Sequence, residues 1–280
     1  MNCESKKYRR IVVKIGSNVL TREDGRPDTT RISALVDQLA RLHRAGTEFI
    51  LVSSGAVASG RSLLETRVGR IDTVSARQLF SAVGQVKLLN RYYDLFNEYG
   101  IVCGQVLTTK ESLSTRRQYL NQRNCMEVML ANGVIPIVNE NDTVSTYEMR
   151  FGDNDTLSAI VSSLVGADLL ILLSDIDGLF TDDPRKNPDA KLIEVVEKMD
   201  ADIMGMAKDS TGSDVGTGGM ATKLTAARIA TLSGVDMVIA NGKDVCILHH
   251  IFDDEFVGTV FKAEKKETFR IEDFILETIG

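Results

Sequence analysis

The sequence predicts an α/β fold, a three-layer αβα sandwich built on a mostly parallel central sheet. Two observations carry that prediction. Short apolar runs rich in Val and Ile recur along the 280 residues, near-continuous rather than alternating, as strands covered on both faces are. Between them lie stretches of helical periodicity, and strands alternating with helices make a parallel sheet.

The expected strands are RIVVKIG (10–16), EFILVSSG (48–55), IVCGQVL (101–107), VIPIVNE (134–140), DLLILLSD (168–175) and VDMVIANG (235–242). A helix over 29–46 puts Ile32, Leu35, Val36, Leu39 and Leu42 on one stripe and stops at Gly46. Further helical patterns cover 72–99, 111–132, 155–166 and 221–233, and the tail over 263–280 reads as a terminal helix. No repeat, proline-rich linker or low-complexity segment divides the chain. A single domain of two lobes sharing one sheet is expected, the first over about 1–165 and the second over about 166–262.

Composition narrows the function classes. With 43% hydrophobic residues the chain can bury a sizeable core. A net charge of −6 without a Lys/Arg block gives no footprint for nucleic acid, so an anionic ligand must be held by local cations. Cys3, Cys103, Cys125 and Cys246 are scattered, and no histidines stand at metal-ligand spacing, so neither a metal site nor a disulfide framework is expected. The N-terminus lacks a signal-peptide core, and no apolar run approaches the ~18 residues of a membrane span. A cytoplasmic protein with no membrane partner is the expectation.

In parallel sheets ligands bind beyond the carboxyl ends of the strands. Those ends read Gly16-Ser17, Ser53-Ser54-Gly55, Asn139-Glu140-Asn141-Asp142 and Ser174-Asp175, small and polar almost throughout. Lys14 lies in an otherwise apolar strand beside Gly16 and needs either an anionic partner or an edge position in solvent. STGSDVGTGGMATK (210–223) packs four glycines into 212–219 and ends on Lys223 as a helix begins. That suits phosphate held by backbone N–H groups, although it is neither a Walker A loop nor a dinucleotide fingerprint, and a surface loop is the plain alternative.

Ser174 and Asp175 could orient a ribose or base, with Phe180 covering a ring, while Asp182, Asp183 and Pro184 read as turn-makers. IVNENDTV (137–144) and FGDNDTLSA (151–159) offer carboxylates for an ammonium and amides for a carboxylate, or else a pair of Asx-turns. Together two lysines, a glycine-rich loop, a nucleotide-like strand end and a polar pocket point to phosphoryl transfer. His43, His249 and His250 fall in helical patterns and are read as structural.

With VVKIGSNVL, LVSSGAVASGR, PIVNENDTV, FGDNDTLSA, LLSDIDGLFTDDPR and GTGGMATKLTAA in family order from about residue 9 to 261, the chain resembles the amino acid kinase family. NEND and GDND are most similar to its glutamate-phosphorylating branch. The resemblance implies an amino acid kinase-like fold and transfer of the ATP γ-phosphoryl group to the side-chain carboxylate of L-glutamate, opening proline synthesis. It places the amino acid on Ser54, Asp142 and Asn154. The nucleotide would meet Lys14, Gly16, Ser174, Asp175, Thr217, Gly218, Gly219, Met220, Ala221, Thr222 and Lys223. Lys14 and Lys223 would flank the transferred group, and Asp155 would hold both lysines.

Mg²⁺ would be carried mainly by ATP, with no protein metal cage. Feedback by L-proline would act through the amino acid pocket or the loop at about 143–152, and a homodimer or tetramer is implied, to which 76–100 could contribute. The C-terminal PUA module of many bacterial members is expected to be absent. Alternatives are an acceptor such as aspartate, N-acetylglutamate, carbamate or UMP, or a non-catalytic nucleotide sensor on the same fold.

Overall fold

The computed structural model describes residues 8–22, 24–64, 69, 71–145, 153–206, 219–244, 246–253 and 255–279. Its centre is an eight-stranded sheet in the order β3-β4-β2-β1-β5-β7-β8-β6. The strands are β1 Arg10–Ile15, β2 Glu48–Ser53, β3 Cys103–Thr108, β4 Ile135–Glu140, β5 Leu169–Ser174, β6 Val195–Val196, β7 Asp236–Asn241 and β8 Gly258–Phe261. All pair in parallel except β7 with β8. The six strands expected from apolar runs are present, each within two residues of its expected start and end.

Alternation along the central strands sorts side chains into two cores. Ile11, Val13 and Ile15 of β1 face a cluster built with α2 (Thr29–Arg44) and α4 (Thr73–Asn97). Val12 faces the other cluster, built with α5 (Arg116–Ala131), α6 (Asn154–Val165) and α8 (Met220–Leu232). Two cores on opposite faces of one sheet make the three layers. By the same period of two, Lys14 points to the α6 and α8 side, and a one-residue slip would bury it among aliphatic side chains.

Several elements differ from expectation for local reasons. The pattern at 111–132 splits into a 3-10 turn, Glu111–Leu113, and α5, because Thr115 caps α5 by accepting from the N–H of Gln118 at 3.3 Å. Short elements carry too little periodicity to be read from sequence. These are α1 (Ser17–Leu20), α7 (Ala201–Gly205), α9 (Ile247–Phe252), β6 and β8. α3 (Ala56–Leu64) is masked in the sequence by its Ser and Gly content. Its glycine is a packing device: a Cβ on Gly60 would fall 1.8 Å from the Phe80 carbonyl oxygen, and one on Gly84 of α4 would fall 1.8 Å from that of Ala56. The tail forms α10, Ile271–Ile279. Among the described residues no helix is long and apolar enough to cross a membrane.

β1 and β5 join the two halves of the sheet, and residue 165, the expected lobe boundary, is the last residue of α6. The parallel strand ends of both halves therefore open on one side.

Candidate active site

α6 begins at that edge, and its first turn divides three polar residues among three tasks. Asp153 is the N-cap, accepting from the Thr156 N–H at 2.8 Å and the Thr156 hydroxyl at 3.1 Å. Burial, and then the charge of Asp155, hold its carboxyl above the usual range.

Asn154 turns toward the first half of the sheet. Its amide donates to Ser54 Oγ at 2.9 Å and to Asn139 Oδ1 at 3.0 Å, and Asn139 in turn donates to Gln85 Oε1 on α4 at 3.0 Å. Asp142 lies in the loop after β4, where Arg77 of α4 holds it by ion contacts at 2.7 and 2.9 Å.

Asp155 turns the other way and is fully buried. Lys14 Nζ lies 2.5 Å from its Oδ1, and Lys223 Nζ lies 3.1 Å from its Oδ2, which also accepts from the Thr222 hydroxyl at 3.2 Å. Burial alone would push this carboxyl up, but the two ammonium groups outweigh it and bring it down to about 2. Both lysines are themselves buried, so the edge position considered for Lys14 does not apply. A Cβ on Gly16 would press to 3.2 Å from the Leu173 carbonyl oxygen while meeting Lys14 Nζ at an ordinary 3.6 Å, so the close approach at this glycine is to the backbone of β5.

Beyond the lysines lies a cavity of about 770 Å³ along the second half of the sheet. Its lining includes Ser174, Asp175, Phe180, Gly219, Met220 and Lys223. Asp175 accepts from Asn18 at 2.9 Å and from the Ser174 hydroxyl at 3.2 Å. Its burial raises the carboxyl pKa, and these bonds, Asn18 foremost, more than reverse it. α8 enters the cavity edge with Gly219 at its N-cap and no side chain capping it among the described residues. Its first N–H groups and Lys223 together suit an anion. Ala221 is exposed and Thr222 faces Asp155, so neither lines the cavity. Thr217 and Gly218 lie outside the described residues, as do 210–216 and 146–152 of the loops singled out above.

Comparison with protein families matches residues 9–241 to the amino acid kinase family. The chain belongs to the amino acid kinase family. It is 50% identical over 275 residues to glutamate 5-kinase of Bacteroides thetaiotaomicron, covering 98% of this chain and 75% of that one. With glutamate 5-kinase of Clostridium acetobutylicum the identity is 46% over 257 residues, 92% of this chain and 96% of the relative. Among solved structures, carbamate kinase from Giardia lamblia bound to AMP-PNP superposes with a TM-score of 0.65 at 16% identity, covering 91% of this amino acid kinase and 99% of that chain, a likeness of fold alone.

Three polar residues of the site escaped sequence reasoning: Asn18, Arg77 and Gln85. Asn18 stands inside a motif already singled out, and Asn139 figured only as a polar strand end. Arg77 and Gln85 lie in a long helix with no local signal, and only the packing of α4 against the strand ends brings them to Asp142 and Asn139.

Proposed function

We propose that this chain transfers the γ-phosphoryl group of ATP to the side-chain carboxylate of L-glutamate, giving L-glutamyl 5-phosphate, the first step of proline biosynthesis. The observation that carries the reading is the buried Lys14–Asp155–Lys223 cluster, with the hydrogen-bonded polar group of Asn154, Ser54 and Asn139 on one side and the cavity at Ser174 and Asp175 on the other. The glutamate 5-kinase relatives favour L-glutamate over aspartate, N-acetylglutamate, carbamate or UMP.

ATP fits the second half of the site on its chemistry. The cavity volume is within the usual range for nucleotide-sized ligands, and Lys223 stands at its edge with the N-terminus of α8, which no side chain among the described residues caps. Asp175 and Ser174 would orient the sugar or base, while α8 and Lys223 would take the phosphates. Mg²⁺, held mainly by the phosphates, would neutralise charge between the β and γ groups.

L-Glutamate would place its ammonium at Asp142 and its backbone polar groups near Ser54 and Asn154. The attacking carboxylate is ionised at neutral pH, so no general base is needed. One carboxylate oxygen bonds to the γ-phosphorus as the bond to the β–γ bridging oxygen breaks and ADP departs. Lys14 and Lys223 would stabilise the charge spread over the transferred oxygens, and Asp155, ionised throughout, fixes both ammonium groups rather than moving a proton.

The first lobe would thus serve the amino acid and the second the nucleotide. We place the activity in the cytoplasm, in a homodimer or tetramer, with L-proline competing at the amino acid pocket.

The test is ADP release from ATP and Mg²⁺ with L-glutamate, beside L-aspartate, N-acetyl-L-glutamate and UMP, with hydroxylamine to trap acyl phosphate. Glutamate-dependent ADP with hydroxamate is the expected result. Turnover with another acceptor alone would replace the substrate, and ATP binding without any turnover would favour a nucleotide sensor.

A further inference from the structure

α4 carries a polar stripe toward Asp142 and Asn139. Arg77, Ser81 and Gln85 recur every four residues on one face, and all three are partly or fully buried. Gln85 bonds the Asn139–Asn154–Ser54 chain from behind. Gln78 beside them donates to the Thr143 carbonyl at 3.0 Å and ties down the loop that carries Asp142.

Arg77 is the most telling member. Its Nε and Nη2 lie 2.9 and 2.7 Å from the same atom, Oδ1 of Asp142, whose residue is only 7% exposed. Oδ2 has no hydrogen bond among the described residues. A planar guanidinium that engages one oxygen through two nitrogens pins that oxygen in place and leaves the second without a partner among the described residues.

Resting on the kinase reading above, we propose that Arg77 is a positioning residue for substrate selection: it fixes Asp142 so that Oδ2 receives the α-ammonium of the amino acid, and it does not touch the phosphoryl group. Such a residue governs acceptor affinity and discrimination rather than the chemical step. The substrate analogue that reads it is glutarate, which keeps both carboxylates of L-glutamate and lacks the ammonium.

The experiment compares the unaltered protein with Arg77→Met and Arg77→Lys, using L-glutamate and glutarate, the latter as acceptor or as competitor of L-glutamate. For Arg77→Met, kcat/KM for L-glutamate should fall roughly 10- to 150-fold, the span of a charge-assisted hydrogen bond. The loss should lie in KM, with kcat and the KM for ATP held within about threefold. Glutarate affinity should change by less than about threefold, because glutarate makes no use of Asp142. Arg77→Lys keeps the charge without the two-nitrogen fork, should lie between, and serves alone if the methionine variant does not fold. Equal losses for both ligands, or a lower KM for L-glutamate in the variants, would overturn the inference while leaving the kinase reading intact. An unaltered protein without glutamate-dependent turnover would overturn both.

Discussion

Replacing Asp155 with Asn tests the centre of the site most directly. The amide keeps the size of the side chain and removes its charge. Lys14 and Lys223 would then stand at 7% and 4% exposure with no carboxylate between them. Removing one partner of a buried ion pair costs about 3–5 kcal/mol, because the charge left behind has neither water nor a counter-ion. Here two cations are left, so a loss at the upper end of that range is expected, eased if one lysine gives up its proton. A domain of this kind has only about 5–15 kcal/mol in total.

The assay is urea unfolding at pH 7 of the unaltered protein, Asp155→Asn, Lys223→Met and the double variant, with kcat measured on each. Removing Lys223 together with Asp155 should return part of the loss, and the non-additivity measures the coupling. Acid titration supplies a second reading. Asp155 has a folded pKa of about 2, below the ordinary value near 3.8, so its contribution is fully present above the unfolded pKa. It is lost as pH falls through the folded value, and Asp155→Asn should remove that part of the acid dependence. If Asp155→Asn unfolds within about 0.5 kcal/mol of the unaltered protein and turns over at the same rate, the cluster is not an electrostatic organiser and the reasoning fails; that threshold is the usual scatter of a neutral surface change.

Lys14→Ala or Lys223→Ala should each lower kcat by about 10²–10³, as removal of one transition-state donor does; steady-state kinetics showing a change confined to the KM for ATP would contradict that role. Gly84→Ala puts a Cβ 1.8 Å from the Ala56 carbonyl oxygen and must push α3 from α4. A loss of about 3 kcal/mol or more is expected in denaturant unfolding, and a neutral result would mean that the helices part without cost.

β1, β2, β4, β5 and β7 were legible because they are buried on both faces, and a near-continuous apolar run is the direct physical trace of that burial; β3, at the sheet edge with Gln105 exposed, showed a weaker one. Lys14 and Gly16 stood out as exceptions to local pattern, a charge in an apolar strand and a glycine beside it, and Lys223 as the end of a glycine-rich loop, whereas the hold of Asp155 on both lysines was implied only by the family resemblance. Arg77 and Gln85 did not, since a polar residue on a long helix is commonplace until the partner face is known. The two-residue β6 and the antiparallel β8 gain their stability from neighbouring strands and leave no periodicity of their own.

By itself, the sequence determined the class of fold, the polar strand ends and the residue types that could hold a nucleotide and a small zwitterion, because those depend on burial and chemistry within a few neighbouring positions. Only the tertiary structure decided that Lys14 from β1 and Lys223 from α8 meet on the two oxygens of Asp155. That meeting requires β1 to lie beside β5, α6 and α8 to cover one face, and the register to send Lys14 to that face. Strand order and facing are properties of the whole packed sheet, and no local stretch of the chain encodes them.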